Sequence, residues 1–181
     1  MSEATQFDII EQIGQDLEQV EVSLAASFET GAEDFNALIR PLSAAGGKRL
    51  RAQLCILVAL AGNSVQEDRI KIAESVEMLH LATLIHDDVL DQSAIRRGES
   101  TIHTHKGNKI AILSGDYLFA KCFALVASLN STEYLKVFTH IITCLVEGEF
   151  MQMEDVYRID QGIDRYMTKT QKKTADFMEG C

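Results

Sequence analysis

Apolar residues recur at steps of three and four along nearly the whole chain, and this period limits what the chain can fold into. Phe7, Ile10, Ile13, Leu17, Val20, Leu24 and Phe28 form one such stripe, the spacing of a single helix face. The same period predicts helices from about Lys48 to Leu60, from Gln66 to near Asp91, from Ile110 to Leu129, from Thr132 to Tyr157, and from Asp164 onward. The segment "EDFNALIRPLSAAGG" is expected to break at Pro41 and at Gly46-Gly47, because proline lacks an amide proton and glycine is conformationally loose. "RRGESTIHTHKGN" is expected to be a polar connection, too rich in Gly, Ser and Thr to be helical throughout. A single proline and a near absence of Asn-Gly and Asp-Gly pairs argue against a many-stranded β fold. With no internal repeat, the expectation is one all-α unit.

A chain of 181 residues with 46% apolar content suits a single core. Its formal net charge of −10 speaks against a nucleic-acid partner, which would call for a basic stripe. Cys55, Cys122, Cys144 and Cys181 form no Cys-x-x-Cys pair, so buried thiols are expected rather than a zinc site. The start "MSEATQFDII" is unlike a secretory signal. No apolar stretch is expected to approach the roughly 20 residues that span a bilayer. A soluble, cytoplasmic protein is the expectation.

The stretch "LHLATLIHDDVLDQSAIRRGE" (79–99) conflicts with simple helix burial. Three aspartates close an apolar helix, where the macrodipole favours cations. At 100° per residue, His80, Thr83, Asp87 and Asp91 fall within about 80° of arc, and Asp88 lies about 100° from Asp87. Residues four apart are about 5–6 Å neighbours, so Asp87 and Asp91 can offer oxygens to one hard cation or to two adjacent ones. Carboxylate, water and phosphate oxygens are the usual surroundings of Mg²⁺. Arg96 and Arg97 follow closely, and arginines bind phosphate in bidentate fashion. Metal and arginines beside one helix end describe a diphosphate site. A second basic cluster, "GGKRLR", places Lys48, Arg49 and Arg51 near a helix N-terminus, where anions bind well. It does not match a Walker A loop, since no Ser or Thr follows Lys48.

Taken together, these motifs resemble those of the trans-prenyltransferases, the head-to-tail polyprenyl diphosphate synthases. The family pattern Gly-Gly-Lys-Arg-x-Arg appears as "GGKRLR" (46–51), and its first aspartate-rich motif with Arg-Arg-Gly as "DDVLDQSAIRRG" (87–98). "GEFMQ" (148–152), "YMTKTQKKTAD" (166–176) and "SGDYLFA" (114–120) are also similar to family segments. The family's usual proline after the first pattern is here Ala52.

The resemblance implies an antiparallel helix bundle of the isoprenoid synthase type, incomplete at its C-terminus. Residues 1–181 would form the N-terminal part of a single such domain, ending before the family's second aspartate-rich motif. It also implies an activity, the Mg²⁺-dependent condensation of isopentenyl diphosphate with an allylic prenyl diphosphate. Asp87, Asp88 and Asp91 would hold Mg²⁺ on the allylic diphosphate. Arg96, Lys173 and Thr174 would touch that group, with Gln152 nearby, whereas Lys48, Arg51, His80 and Arg97 would bind isopentenyl diphosphate, with Arg49 also among the substrate-binding residues. The small residues Ala82 and Thr83, where aromatics stop short products, imply a long-chain product that could pass to a membrane. A homodimer is implied. The alternative is a non-catalytic or truncated partner subunit, and this chain alone is not expected to turn over substrate. A His-Asp phosphohydrolase would need a distant upstream histidine that is missing here. A terpene cyclase would have no use for a second diphosphate cluster.

Overall fold

The computed structural model describes residues 3–29, 33–44, 47–62 and 64–181. Gly46, part of the expected "GGKRLR" cluster, lies outside the described residues, as does the side chain of Phe7. The chain is built of helices, and its contacts fall into two compact units, Met1–Leu129 and Asn130–Cys181.

The first unit contains α1 (Glu3–Ser27), α2 (Glu33–Ala44), α3 (Leu50–Ala61), α4 (Gln66–Leu90), α5 (Ile102–Lys106) and α6 (Asn108–Ala127). Helix α4 is its axis, packed against α1, α3, α5 and α6. Ala73, Val76, Leu79, Ala82 and Ile85 of α4 are buried in this core. The α1 stripe is buried towards its C-terminal end, at Val20, Leu24 and Phe28, whereas Ile10 is 60% exposed. Buried Asp16 of α1 accepts hydrogen bonds from Arg69 Nε at 2.6 Å and Gln66 Nε2 at 2.8 Å, tying α1 to the start of α4.

The structure corrects three expectations in this unit and adds detail to a fourth. Helix α2 runs through Pro41; the exposed ring sits near the helix end, and only three residues follow it. Helix α3 starts at Leu50 rather than Lys48, because Arg49 is left-handed (φ 46°, ψ 39°). The connection after α4 includes a two-stranded hairpin, Ile95–Arg96 paired with Glu99–Ser100. Its turn residues Arg97 and Gly98 both have positive φ, 53° and 87°, as a type I′ turn requires. Finally, α6 is long and apolar enough to cross a membrane by length and composition, although no such stretch was expected. Here it packs on α4 and α5 and buries Ala111, Ser114, Gly115, Leu118, Cys122 and Val126.

The second unit contains α7 (Thr132–Asp155), α8 (Ile163–Thr170), a π-helical turn (Gln171–Ala175) and α9 (Asp176–Glu179). Helix α7 ends two residues before the expected Tyr157, and Tyr157 has positive φ. Buried Asp155 closes α7 and binds Arg165 and Lys169 of α8. Burial by itself would raise its pKa, but these two cations outweigh it and hold the carboxyl below its ordinary value. Cys55, Cys122 and Cys144 are buried, and Cys181 is half-buried.

Candidate functional site

Helix α4 ends at Leu90, with Asp91 as its C-cap and no basic residue in its last turn. The three aspartates therefore stand at the negative end of the helix, as the sequence suggested. They do not share one environment. Asp87 is half-buried and Asp91 exposed. Asp88 is buried and accepts a 2.7 Å hydrogen bond from Arg96 Nε. With Arg96 it lines a cavity of about 410 Å³ that Leu81, Leu84 and Ile85 of α4 also border. The 100° offset of Asp88 from Asp87 thus separates an aspartate that positions an arginine from those that could meet a cation. Asp87 and Asp91 provide hard oxygen donors, the right chemistry for Mg²⁺. Among the described residues no group of three or more His, Cys, Asp or Glu side chains is arranged to hold a metal, so a cation there would draw further oxygens from a ligand.

His80 lies two turns before Asp87 on α4 and is half-buried. Burial, then the charges of Arg51, Arg97, Arg96 and Arg49, push its pKa down from 6.5 to about 3. Its imidazole is neutral at physiological pH because of its burial and, secondly, because arginines from two separate motifs act on it. Such convergence of positive charge suits an anion. The two motifs also meet through backbone. A methyl group on Gly47 would stand 3.2 Å from Arg97 Nη1, so the glycine makes room for the guanidinium. Gly47 has φ +150° and Arg97 φ 53°, and a non-glycine residue in the left-handed region costs roughly 1–2 kcal/mol. Lys48 is exposed in the same loop, and Arg51 is half-buried in the first turn of α3.

Arg49 does something else. Its Nε and Nη2 bond Glu21 of α1 at 2.6 and 3.1 Å, and its Nη1 bonds Glu77 of α4 at 3.1 Å. Its side chain is 8% exposed, so the guanidinium is committed to the fold, not presented to a ligand. Thr83 donates its hydroxyl to the His80 carbonyl at 2.8 Å. Ala82 is fully buried, so of the two expected chain-length positions only Thr83 keeps exposed surface. His86 packs on α6, with Nε2 3.1 Å from the Ile112 carbonyl and 3.5 Å from Asp116. A Cβ on Gly115 would overlap its ring. This accounts for Gly115 and Asp116 of "SGDYLFA" as a helix contact.

The remaining predicted residues lie in the second unit and form their own cluster. Lys173 Nζ donates to Gln152 Oε1 at 2.8 Å and pairs with Glu149 at 2.5 Å. A Cβ on Gly148 would come within 2.8 Å of Lys173 Cγ, so this glycine lets the π-helical turn lie against α7. Single π turns inside helices occur frequently at functional sites. Thr174 lies in the same turn and is exposed. Glu149 escaped the sequence reading, although it stands within the quoted "GEFMQ".

A family model described as polyprenyl synthetase matches residues 32–181. A prenyl transferase of Porphyra purpurea is 37% identical over 178 residues, covering 97% of this chain and 55% of the relative. The octaprenyl diphosphate synthase of Escherichia coli (strain K12) is 32% identical, covering 96% and 54%. A polyprenyl synthase of Caulobacter crescentus CB15, solved with calcium and isoprenyl diphosphate, superposes with TM-score 0.90 at 31% identity. That match covers 95% of this chain and 52% of the other. The chain thus spans about half the length of these relatives. The fold is that of the isoprenoid synthases, and the chain belongs to the polyprenyl synthetase family.

Proposed function

We propose that this chain carries the substrate-binding N-terminal part of a long-chain polyprenyl diphosphate synthase. In this reading, isopentenyl diphosphate adds head-to-tail to an allylic prenyl diphosphate. The observation that carries it is the neutral His80 held among Arg51, Arg97, Arg96 and Arg49, two turns from the carboxylates at the end of α4. Lys48, Arg51 and Arg97 would hold the oxygens of isopentenyl diphosphate, and neutral His80 would donate one N–H to it. Arg96, oriented by Asp88, would face the allylic diphosphate. In the second unit, Lys173, held by Gln152 and Glu149, and Thr174 offer a cation and a hydroxyl to diphosphate oxygens. Asp87 and Asp91 would hold Mg²⁺, and a divalent ion there supplies the charge stabilisation that lets diphosphate leave an allylic carbon. The Caulobacter relative, solved with calcium and isoprenyl diphosphate, supports a divalent cation in that role.

A long product is supported by the octaprenyl relative and by the small side chain of Thr83. Four cysteines with no Cys-x-x-Cys pair, three of them buried, go with a reducing, cytoplasmic setting. Exposed apolar side chains on α6 support a homodimer. Calorimetry with Mg²⁺ and a non-hydrolysable allylic diphosphate analogue tests the reading. Binding should require both components, and Asp87→Asn should weaken it by at least about tenfold. Unchanged affinity in that variant would remove the metal assignment.

A further inference from the structure

Glu77 is an acid in a basic neighbourhood. It sits one turn before His80 on α4 and is 3% exposed. Its Oε1 accepts the Ala52 N–H at 3.2 Å, and its Oε2 accepts Arg49 Nη1 at 3.1 Å. Helix α3 has no side-chain cap from its own N-cap residue and no acid in its first turn. Glu77 provides both from another helix, an acceptor for an otherwise orphaned amide and a negative charge at the positive end of α3. It also holds Arg49 in its left-handed conformation, with Glu21 gripping the other edge of the guanidinium. Arg51 lies between Arg49 and Ala52, the two residues that Glu77 holds, so the start of α3 is fixed on both sides of it.

We infer that Glu77 is a positioning residue for the anion site, acting through Arg49 and the α3 amide to set Arg51, in the first turn of α3, beside His80. This rests on the reading of that site as a diphosphate pocket. Charge and position make opposite predictions here. A buried carboxylate near an anion repels it, so if charge alone mattered, neutralising Glu77 would tighten diphosphate binding. If Glu77 sets the geometry, the same change loosens binding.

The test uses the 181-residue chain and Glu77→Gln, which keeps the side-chain shape and an oxygen for the Ala52 amide. Calorimetry with inorganic pyrophosphate and with isopentenyl diphosphate should show affinity about tenfold weaker for both. Binding of the allylic analogue with Mg²⁺ should stay within about twofold, since Asp87 and Asp91 lie at the far end of α4. Glu21→Gln, at the half-exposed partner of Arg49, should weaken pyrophosphate by about two- to threefold and serves if Glu77→Gln does not fold. Tighter pyrophosphate binding would overturn the inference in favour of charge alone. An equal loss for pyrophosphate and allylic analogue, together with a lower unfolding midpoint, would reduce Glu77 to general support of the fold. A wild-type chain that binds pyrophosphate but not isopentenyl diphosphate would refute the substrate assignment while leaving the positioning role testable. One that binds neither would remove both.

Discussion

At the scale of single residues, the aspartates were legible because they break a rule. Negative charge at a helix C-terminus is unfavourable, so Asp87, Asp88 and Asp91 called for a positive partner. The helical angle even separated Asp88 from the other two. Arg49 was not legible, since its partners Glu21 and Glu77 each lie 28 positions away on other helices. Nor could the sequence reveal the state of His80, which is set by burial and by arginines from separate motifs. Its folded-state pKa of about 3 lies below the ordinary 6.5. Its contribution to stability is therefore complete above pH 6.5 and declines as the pH falls from there towards 3. The urea midpoint should drop between pH 7 and pH 5, and His80→Gln should reduce that drop. In proton NMR the His80 ring resonance should stay at its neutral position to below pH 5, then move towards the protonated position when pyrophosphate is added. A ring that titrates near 6.5 without ligand would mean that the arginines do not converge on it.

At the scale of elements, the long helices were legible to within a few residues from their apolar period. The hairpin was missed because its turn is Arg97-Gly98, with a left-handed arginine where asparagine or aspartate is usual. The π turn was missed because its cause is tertiary, the contact of Gly148 with Lys173. Gly148→Ala checks that cause. In an isolated helix the change should stabilise by up to about 1 kcal/mol. Here the added Cβ would meet Lys173 Cγ at 2.8 Å and the Lys173 backbone nitrogen at 3.1 Å, and a backbone atom cannot swing aside. The variant should therefore lower the melting temperature and break the Lys173–Gln152 hydrogen bond, which a crystal structure or amide shifts would reveal. The clamp between α1 and α4 allows a firmer magnitude. Asp16 is fully buried and Arg69 nearly so, and removing one partner strands the other's charge. Asp16→Ala should cost about 3–5 kcal/mol in denaturant unfolding; a loss under about 1 kcal/mol would mean that Arg69 finds another acceptor.

At the scale of the whole molecule, the apolar period that builds the core also leaves surface unexplained. Ile110, Ile112 and Leu113 of α6 are 37%, 44% and 53% exposed, while the opposite face of the helix packs on α4. Apolar area left in water is unfavourable by about 25 cal/mol per Å², so a row of such residues marks a surface that normally meets something. Length and composition would let α6 cross a membrane, but Lys109, Asp116 and Lys121 interrupt the helix, and Ala111, Ser114 and Gly115 are already buried in packing. A protein partner fits better than lipid, and a second copy of the chain is the one proposed above. Light scattering at micromolar concentration should give the mass of two chains. Leu113→Glu should give one, with helical content unchanged by circular dichroism. The net charge of −10 adds a further check, since repulsion between like-charged copies is screened by salt. The dimer fraction should therefore rise between about 0.01 M and 0.15 M salt, where the Debye length falls from about 30 to 8 Å. A wild-type chain that stays monomeric at both salt concentrations would leave the α6 face to a different partner.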